Sequence, residues 1–253
     1  MPKFGRFLLN NRDIFGYLAD ENTVVVARAE DREALGRESF AVSEGRLLPP
    51  VIPSKIIGVG LNYKAHAAEM QKPLPDEPLL FMKPVTAIIA SGEEIVLPSR
   101  SERVDYEGEL AVVIGKRCRH VSADEAKDYV LGYTCLNDVT ARDFQKKDVQ
   151  FTRAKGFDTF APLGPYLVSE LDPANLAIQT FVNGTLRQQG TTADLIFPVY
   201  ELIAFVSSVM TLIPGDIITT GTPPGVGPLK PGDIVEVRIE GIGTLVNRAV
   251  AGI

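Results

Sequence analysis

Cysteine and histidine are scarce in this chain, with two of each in 253 residues. Cys118 and Cys135 do not form a zinc-like cluster. With only His66 and His120, a multi-histidine metal site is excluded. A single disulfide stays open, but a reduced, cytoplasmic setting is the expectation. A basic excess is also missing: 26 Lys and Arg stand against 32 Asp and Glu, a formal charge of -6. That balance argues against a nucleic-acid binder, which usually carries a basic face. No apolar run approaches the roughly 18 residues needed to cross a bilayer. The opening residues, Met1-Pro2-Lys3-Phe4-Gly5-Arg6, lack a signal-peptide pattern. Internal repeats and low-complexity segments are absent.

What is there is an ordinary globular composition on a chain long enough for a sizeable core. Residues 4–9, 14–18 and 23–27 read as short strands separated by polar turns. Three prolines in five residues, Pro49, Pro50 and Pro53, suit neither a helix nor a central strand. A boundary is placed there, giving a small N-terminal β-rich domain over 1–50 and a larger domain over 54–253. In the larger unit, residues 55–60, 94–97, 110–114 and 133–137 read as strands. Residues 62–70 and 197–212 read as helices, and Ser122-Ala123-Asp124-Glu125 as a capping box opening a helix to about residue 130. Asn183-Gly184 marks a hairpin after 178–182. Three β runs, 217–220, 234–239 and 244–250, follow. Strands outnumber helices and do not alternate with them, so the expected class is α+β, β-rich, with a rolled or barrel-like sheet.

Chemistry concentrates at Tyr106-Glu107-Gly108-Glu109-Leu110. If this run is a strand, Glu107 and Glu109 point the same way. Two carboxylates aimed at one spot need water, a counter-charge or a cation between them. Asp138 follows another apolar segment. Three converging carboxylates without His or Cys suit a hard divalent cation; a solvated strand face and a simple Asn-Asp turn are the plain alternatives. His66 and Glu69 lie i, i+3, where a carboxylate can fix the imidazole tautomer and raise its basicity; an exposed helical pair is the alternative. Arg142 and Lys155 could clamp an anionic substrate, whereas Lys146 and Lys147 read as a solvated basic loop, and Lys83 as a solvated basic position of the same kind. Gly58-Val59-Gly60 and residues 221–227 lack the complete phosphate-binding fingerprints, which disfavours a phosphotransferase, although Thr222 could set a hydroxyl beside a ligand.

Taken in order, these clusters resemble the fumarylacetoacetate hydrolase superfamily. The matching runs are Ile57-Gly58-Val59-Gly60-Leu61-Asn62-Tyr63-Lys64-Ala65-His66, Pro78-Leu79-Leu80-Phe81-Met82-Lys83-Pro84, Asp105-Tyr106-Glu107-Gly108-Glu109-Leu110, Asn137-Asp138-Val139-Thr140-Ala141-Arg142-Asp143, the stretch from Lys155 to Pro165, and Thr220-Gly221-Thr222-Pro223. They span the chain from about Lys55 onward, and the first fifty residues resemble the family's small N-terminal domain loosely. The resemblance implies a rolled mixed β-sheet and a homodimer. It further implies Mg²⁺, with Mn²⁺ or Ca²⁺ as alternatives, on Glu107, Glu109 and Asp138. It marks His66, Glu69 and Lys155 as catalytic, and Arg142, Gln145 and Thr222 as substrate-binding. The expected activity is that of a divalent-metal-dependent enzyme acting on a 2-oxo acid or its enol through a chelated enolate. The leading reactions are C–C hydrolysis of acylpyruvates and decarboxylation of oxaloacetate. The alternative is a 2-hydroxyhepta-2,4-diene-1,7-dioate isomerase or 5-oxopent-3-ene-1,2,5-tricarboxylate decarboxylase. An inactive metal-binding scaffold is the reading from another class, and the intact dyad, acidic trio and lysine speak against it.

Overall fold

The structure, a computed structural model, describes residues 1–29 and 32–252; Glu30, Asp31 and Ile253, inside the two expected domains, lie outside them. The chain is β-rich with mixed sheets. Its largest sheet runs, in spatial order, through Ala34–Ala41, Thr23–Ala27, Arg12–Leu18, Lys3–Leu9, Ala161–Val168, Val130–Asn137, Gly108–Ile114, Ile217–Thr219, Ile56–Gly60 and Leu79–Lys83. Most pairs are antiparallel, but Ile217–Thr219 runs parallel to Ile56–Gly60. A five-stranded sheet packs against it, in the order Thr185–Thr191, Ala177–Val182, Ile234–Ile239, Gly243–Ala251, Glu94–Leu97. A small third sheet joins Thr140–Ala141, Val104–Tyr106 and Gly227–Pro228.

The strand Gly108–Ile114 is buried along its whole length. Leu110, Val112 and Ile114 pack with Ile178, Val237 and Ile239 of the second sheet. Ala111 and Val113 face the opposite layer, with Leu163, Leu167 and Ile217. Burial on both faces explains why this strand reads as an uninterrupted apolar run and not as an alternating one. The strands of the first fifty residues continue the large sheet, since Lys3 and Phe4 pair with Val168 and Leu167. Fully buried Phe7 meets Phe40 edge-on at 5.4 Å.

Three local expectations are corrected. The helix read over 197–212 is Val199–Val209, with Val199, Leu202, Ile203 and Val206 on its buried face. Its ends are taken by other partners: Phe197 N–H donates to Asn62 Oδ1 at 2.8 Å, and Leu212 pairs with Cys118. The capping box at Ser122 and Glu125 forms its reciprocal bonds, but only a short 3-10 turn, Ala126–Tyr129, follows. There Val130 is captured by pairing with Ile114. The basic stretch after Thr140 is the helix Arg142–Asp148 and not a loop. The hairpin at Asn183-Gly184 has both residues left-handed, at φ 51° and 73°, as a two-residue type I′ turn requires. Both cysteines are buried and free.

Candidate metal centre and its cleft

Glu107 is not inside a strand. It is the single residue between Val104–Tyr106 of the small sheet and Gly108–Ile114 of the large one. Side-chain alternation therefore does not aim it, which corrects the reasoning from spacing. Hydrogen bonds hold the crossover instead: Glu107 N–H donates to Asn137 Oδ1 at 2.9 Å, and Asp138 N–H donates to the Glu107 carbonyl at 2.8 Å. Gly108 lets the crossing come close, since a Cβ there would lie 2.3 Å from Thr180 Oγ1. Carboxylate oxygens of Glu107, Glu109 and Asp138 lie within 4.8 Å of one another, and all three residues are buried.

A chain of alternating charges surrounds them. Lys155 Nζ donates to Glu107 at 2.8 Å and also to Asp138. Lys83 Nζ donates to the other Asp138 oxygen at 2.6 Å and to the Val139 carbonyl at 3.2 Å. Arg142 donates through Nη2 to Glu107, through Nε to Asp105 at 3.0 Å and through Nη1 to Gln145 Oε1 at 2.7 Å. Arg103 closes the chain on Asp105 at 2.8 Å and 3.1 Å. The third acid is treated differently. Glu109 accepts from the Gly221 N–H at 2.8 Å, and it forms no ion pair among the described residues.

These partners split the two glutamates electrostatically. Burial pushes Glu107 up, but Lys155 and Arg142 outweigh it and hold the carboxyl at about 2. Burial, then Asp138 and Glu107, push Glu109 well above the usual carboxylate range. Burial lowers Lys83 despite Asp138. Burial also lowers Lys155, but Asp138, Glu107 and Glu109 prevail and raise it. An all-oxygen set with one carboxylate lacking a cationic partner fits a hard divalent cation.

The trio lines a cleft of about 360 Å³, together with His66, Arg142, Gln145, Lys155 and Thr222. Glu69 stands behind His66, with Oε2 at 3.0 Å from Nδ1. The Gly225 N–H holds the Glu69 carboxylate from the other side at 3.2 and 3.3 Å. Thr222 Oγ1 donates to the Gly108 carbonyl at 2.9 Å and accepts from Gln188 Nε2 at 2.7 Å. All nine residues singled out in the sequence thus belong to one cleft or directly support it.

Sequence reasoning missed four supports. Lys83, read as a solvated basic position, is 1% exposed, because it turns inward from the strand Leu79–Lys83 onto Asp138. Asp105 orients Arg142, and its place in the Glu107 run was the available signal. Asn137 fixes Glu107, and Gln188 clamps the Gly108 N–H and Thr222 at once; a glutamine on a strand gives no signal.

The model of the fumarylacetoacetate (FAA) hydrolase C-terminal family matches residues 55–250. A human protein named as a mitochondrial oxaloacetate tautomerase is 45% identical over 221 residues, covering 82% of this chain and 70% of its own. The crystal structure of a 5-carboxymethyl-2-hydroxymuconate delta-isomerase from Mycobacterium smegmatis superimposes with a TM-score of 0.93 at 43% identity, over 99% of this chain and 100% of that one. A fumarylacetoacetate hydrolase from Exiguobacterium antarcticum superimposes at 0.90 with 35% identity, each chain being covered in full. The chain therefore belongs to the fumarylacetoacetate hydrolase family.

Proposed function

We propose that this protein is a divalent-metal-dependent enzyme that moves a proton on a 2-oxo acid, interconverting its keto and enol forms. The observation that carries this is the convergence of Glu107, Glu109 and Asp138 within 4.8 Å in a cleft also lined by His66. Glu107, Glu109 and Asp138 would hold the cation, with Mg²⁺ first and Mn²⁺ or Ca²⁺ also suited to oxygen ligands. Bound there, it would polarise the 2-oxo group and stabilise negative charge on its oxygen.

The remaining steps belong to side chains. With its Nδ1–H donated to Glu69, His66 keeps Nε2 unprotonated and able to take a proton from the carbon beside the 2-oxo group. The electron pair of that C–H bond becomes the C=C bond of the enol, and the carbonyl oxygen gains the negative charge. Lys155, anchored by Glu107 and Asp138, supplies a nearby positive charge. Passing that proton from His66 to the enolate oxygen yields the enol; in reverse, the O–H proton is taken up first and delivered to carbon, giving the keto form.

A tautomerase and an isomerase among the similar proteins support proton transfer as the first reading. Cleavage of an acylpyruvate C–C bond, with His66 activating water, is the second, favoured by the Glu69-held imidazole and by the similar hydrolase. One experiment separates them: give the Mg²⁺-loaded protein oxaloacetate and a panel of acylpyruvates, following enol absorbance and released pyruvate together. Enol loss without pyruvate is expected. Pyruvate release at the same rate would replace the first reading with decarboxylation or hydrolysis, and no turnover of any member would sink both. We also propose a homodimer, supported by exposed Leu79 and Met82 on the edge strand of the large sheet; light scattering at monomer mass would contradict it.

A further inference from the structure

We propose that Lys72 and Lys146 form a subsite for the distal carboxylate of a 2-oxo dicarboxylate, so that the cleft selects dianions over matching monoanions. This rests on the reading of the cleft as a 2-oxo acid site and narrows its substrate class.

The starting point is a division among the basic side chains that line the cleft. Arg142 looks like the natural anion clamp, but each of its three nitrogens already donates inside the protein, to Asp105, Glu107 and Gln145. Lys155 is shared between Glu107 and Asp138. Lys72 and Lys146 line the same cleft, are exposed, and form no ion pair among the described residues. They reach it from two elements. Lys72 follows the helix Lys64–Glu69, and Lys146 lies four residues after Arg142 on the helix Arg142–Asp148, on the same helical face.

Charge balance points the same way. At the floor, Asp105, Glu107, Glu109 and Asp138 stand against Lys83, Arg103, Arg142 and Lys155, four acids against four bases. The floor is formally neutral, so a divalent cation there would leave it at +2, of which the first carboxylate of a 2-oxo acid answers one charge. The two mouth lysines then add positive charge that only a second carboxylate answers. Leu61, Leu79, Phe81 and Phe151 supply apolar wall to the cleft and give an anion no partner. A short carbon chain carrying a carboxylate at each end fits this distribution.

Two measurements test it. First, in excess Mg²⁺, calorimetry compares binding of malate with lactate, two unreactive 2-hydroxy acids of which only malate has the distal carboxylate. The wild type is expected to prefer malate by about tenfold or more, and the Lys72→Ala, Lys146→Ala pair to lose most of that preference. Second, the kcat/KM ratio of oxaloacetate to 2-oxobutyrate is expected to fall about tenfold in the double variant, chiefly through KM, and to recover when both positions are Arg. Lys147→Ala, on the same helix but outside the cleft, leaves both ratios in place. Equal affinity for malate and lactate in the wild type, or a ratio the double variant does not change, overturns the proposal. Preference for malate without turnover of any 2-oxo acid would keep the subsite and discard the proposed reaction.

Discussion

The floor and the mouth of the cleft are built on opposite plans. At the floor, the buried or mostly buried charges Asp105, Arg142, Glu107, Lys155, Asp138 and Lys83 are locked into one chain, which the exposed Arg103 closes at its outer end. At the mouth, Lys72 and Lys146 are exposed and form no ion pair among the described residues; Met70 and Leu79 beside them are also exposed. A buried charge must be paired, because losing one partner costs far more than the pair gains. The floor is therefore rigid and suited to one kind of chemistry, whereas the mouth can change residue by residue without unfolding anything.

A second contrast lies within the buried acids. Asp216 is satisfied by Ser54 Oγ at 2.6 Å, the Ile213 N–H at 2.8 Å and Lys55. Glu109, equally buried, has one backbone donor and two acidic neighbours. Asp216 is a structural acid and Glu109 is poised for a ligand.

Glu109→Gln keeps the shape of the side chain and removes its charge, so turnover of the reactive 2-oxo acid is expected to fall by roughly a thousandfold or more; activity within tenfold of wild type would detach Glu109 from the chemistry. His66→Ala is expected to lower kcat by about 10²–10⁴ while Mg²⁺ affinity persists, since the imidazole contacts the trio through neither nitrogen. Equal loss of cation affinity would show that the dyad supports the floor structurally. Lys55→Met strands Asp216 and should cost about 3–5 kcal/mol in denaturant unfolding, with cation affinity intact. A stability loss below about 1 kcal/mol would erase the distinction drawn between the two acids.

Much of the floor was legible in the sequence because its residues come in short, closely spaced runs: Glu107 with Glu109, Asn137 with Asp138, His66 with Glu69. The β-rich class was legible from the same punctuated apolar runs. What could not be read is where those runs meet. Glu107 was assigned to a strand face, yet its aim comes from Asn137 across a gap of thirty residues. Lys83 looks like any surface lysine until Ile56–Gly60 pairs with Leu79–Lys83 and carries it to Asp138. The strand Ala161–Val168, carrying Pro162 and Pro165, breaks the usual expectation for a central strand; it neighbours both Lys3–Leu9 and Val130–Asn137. Long-range pairing decides such positions, and local pattern carries no record of it.

Everything proposed for the cleft depends on Glu107, Glu109 and Asp138 holding a divalent cation. The most direct test is Mg²⁺ calorimetry at neutral pH and at a series of lower pH values. Glu109 sits well above the usual carboxylate range without the ion, from burial and from Asp138 and Glu107. A cation takes its ionised form, so affinity weakens as pH falls through that raised value. The predicted result is binding of one Mg²⁺ per chain that weakens as pH falls and is abolished by Glu109→Gln. Absence of binding in the wild type, or unchanged binding in the variant, would contradict the claim.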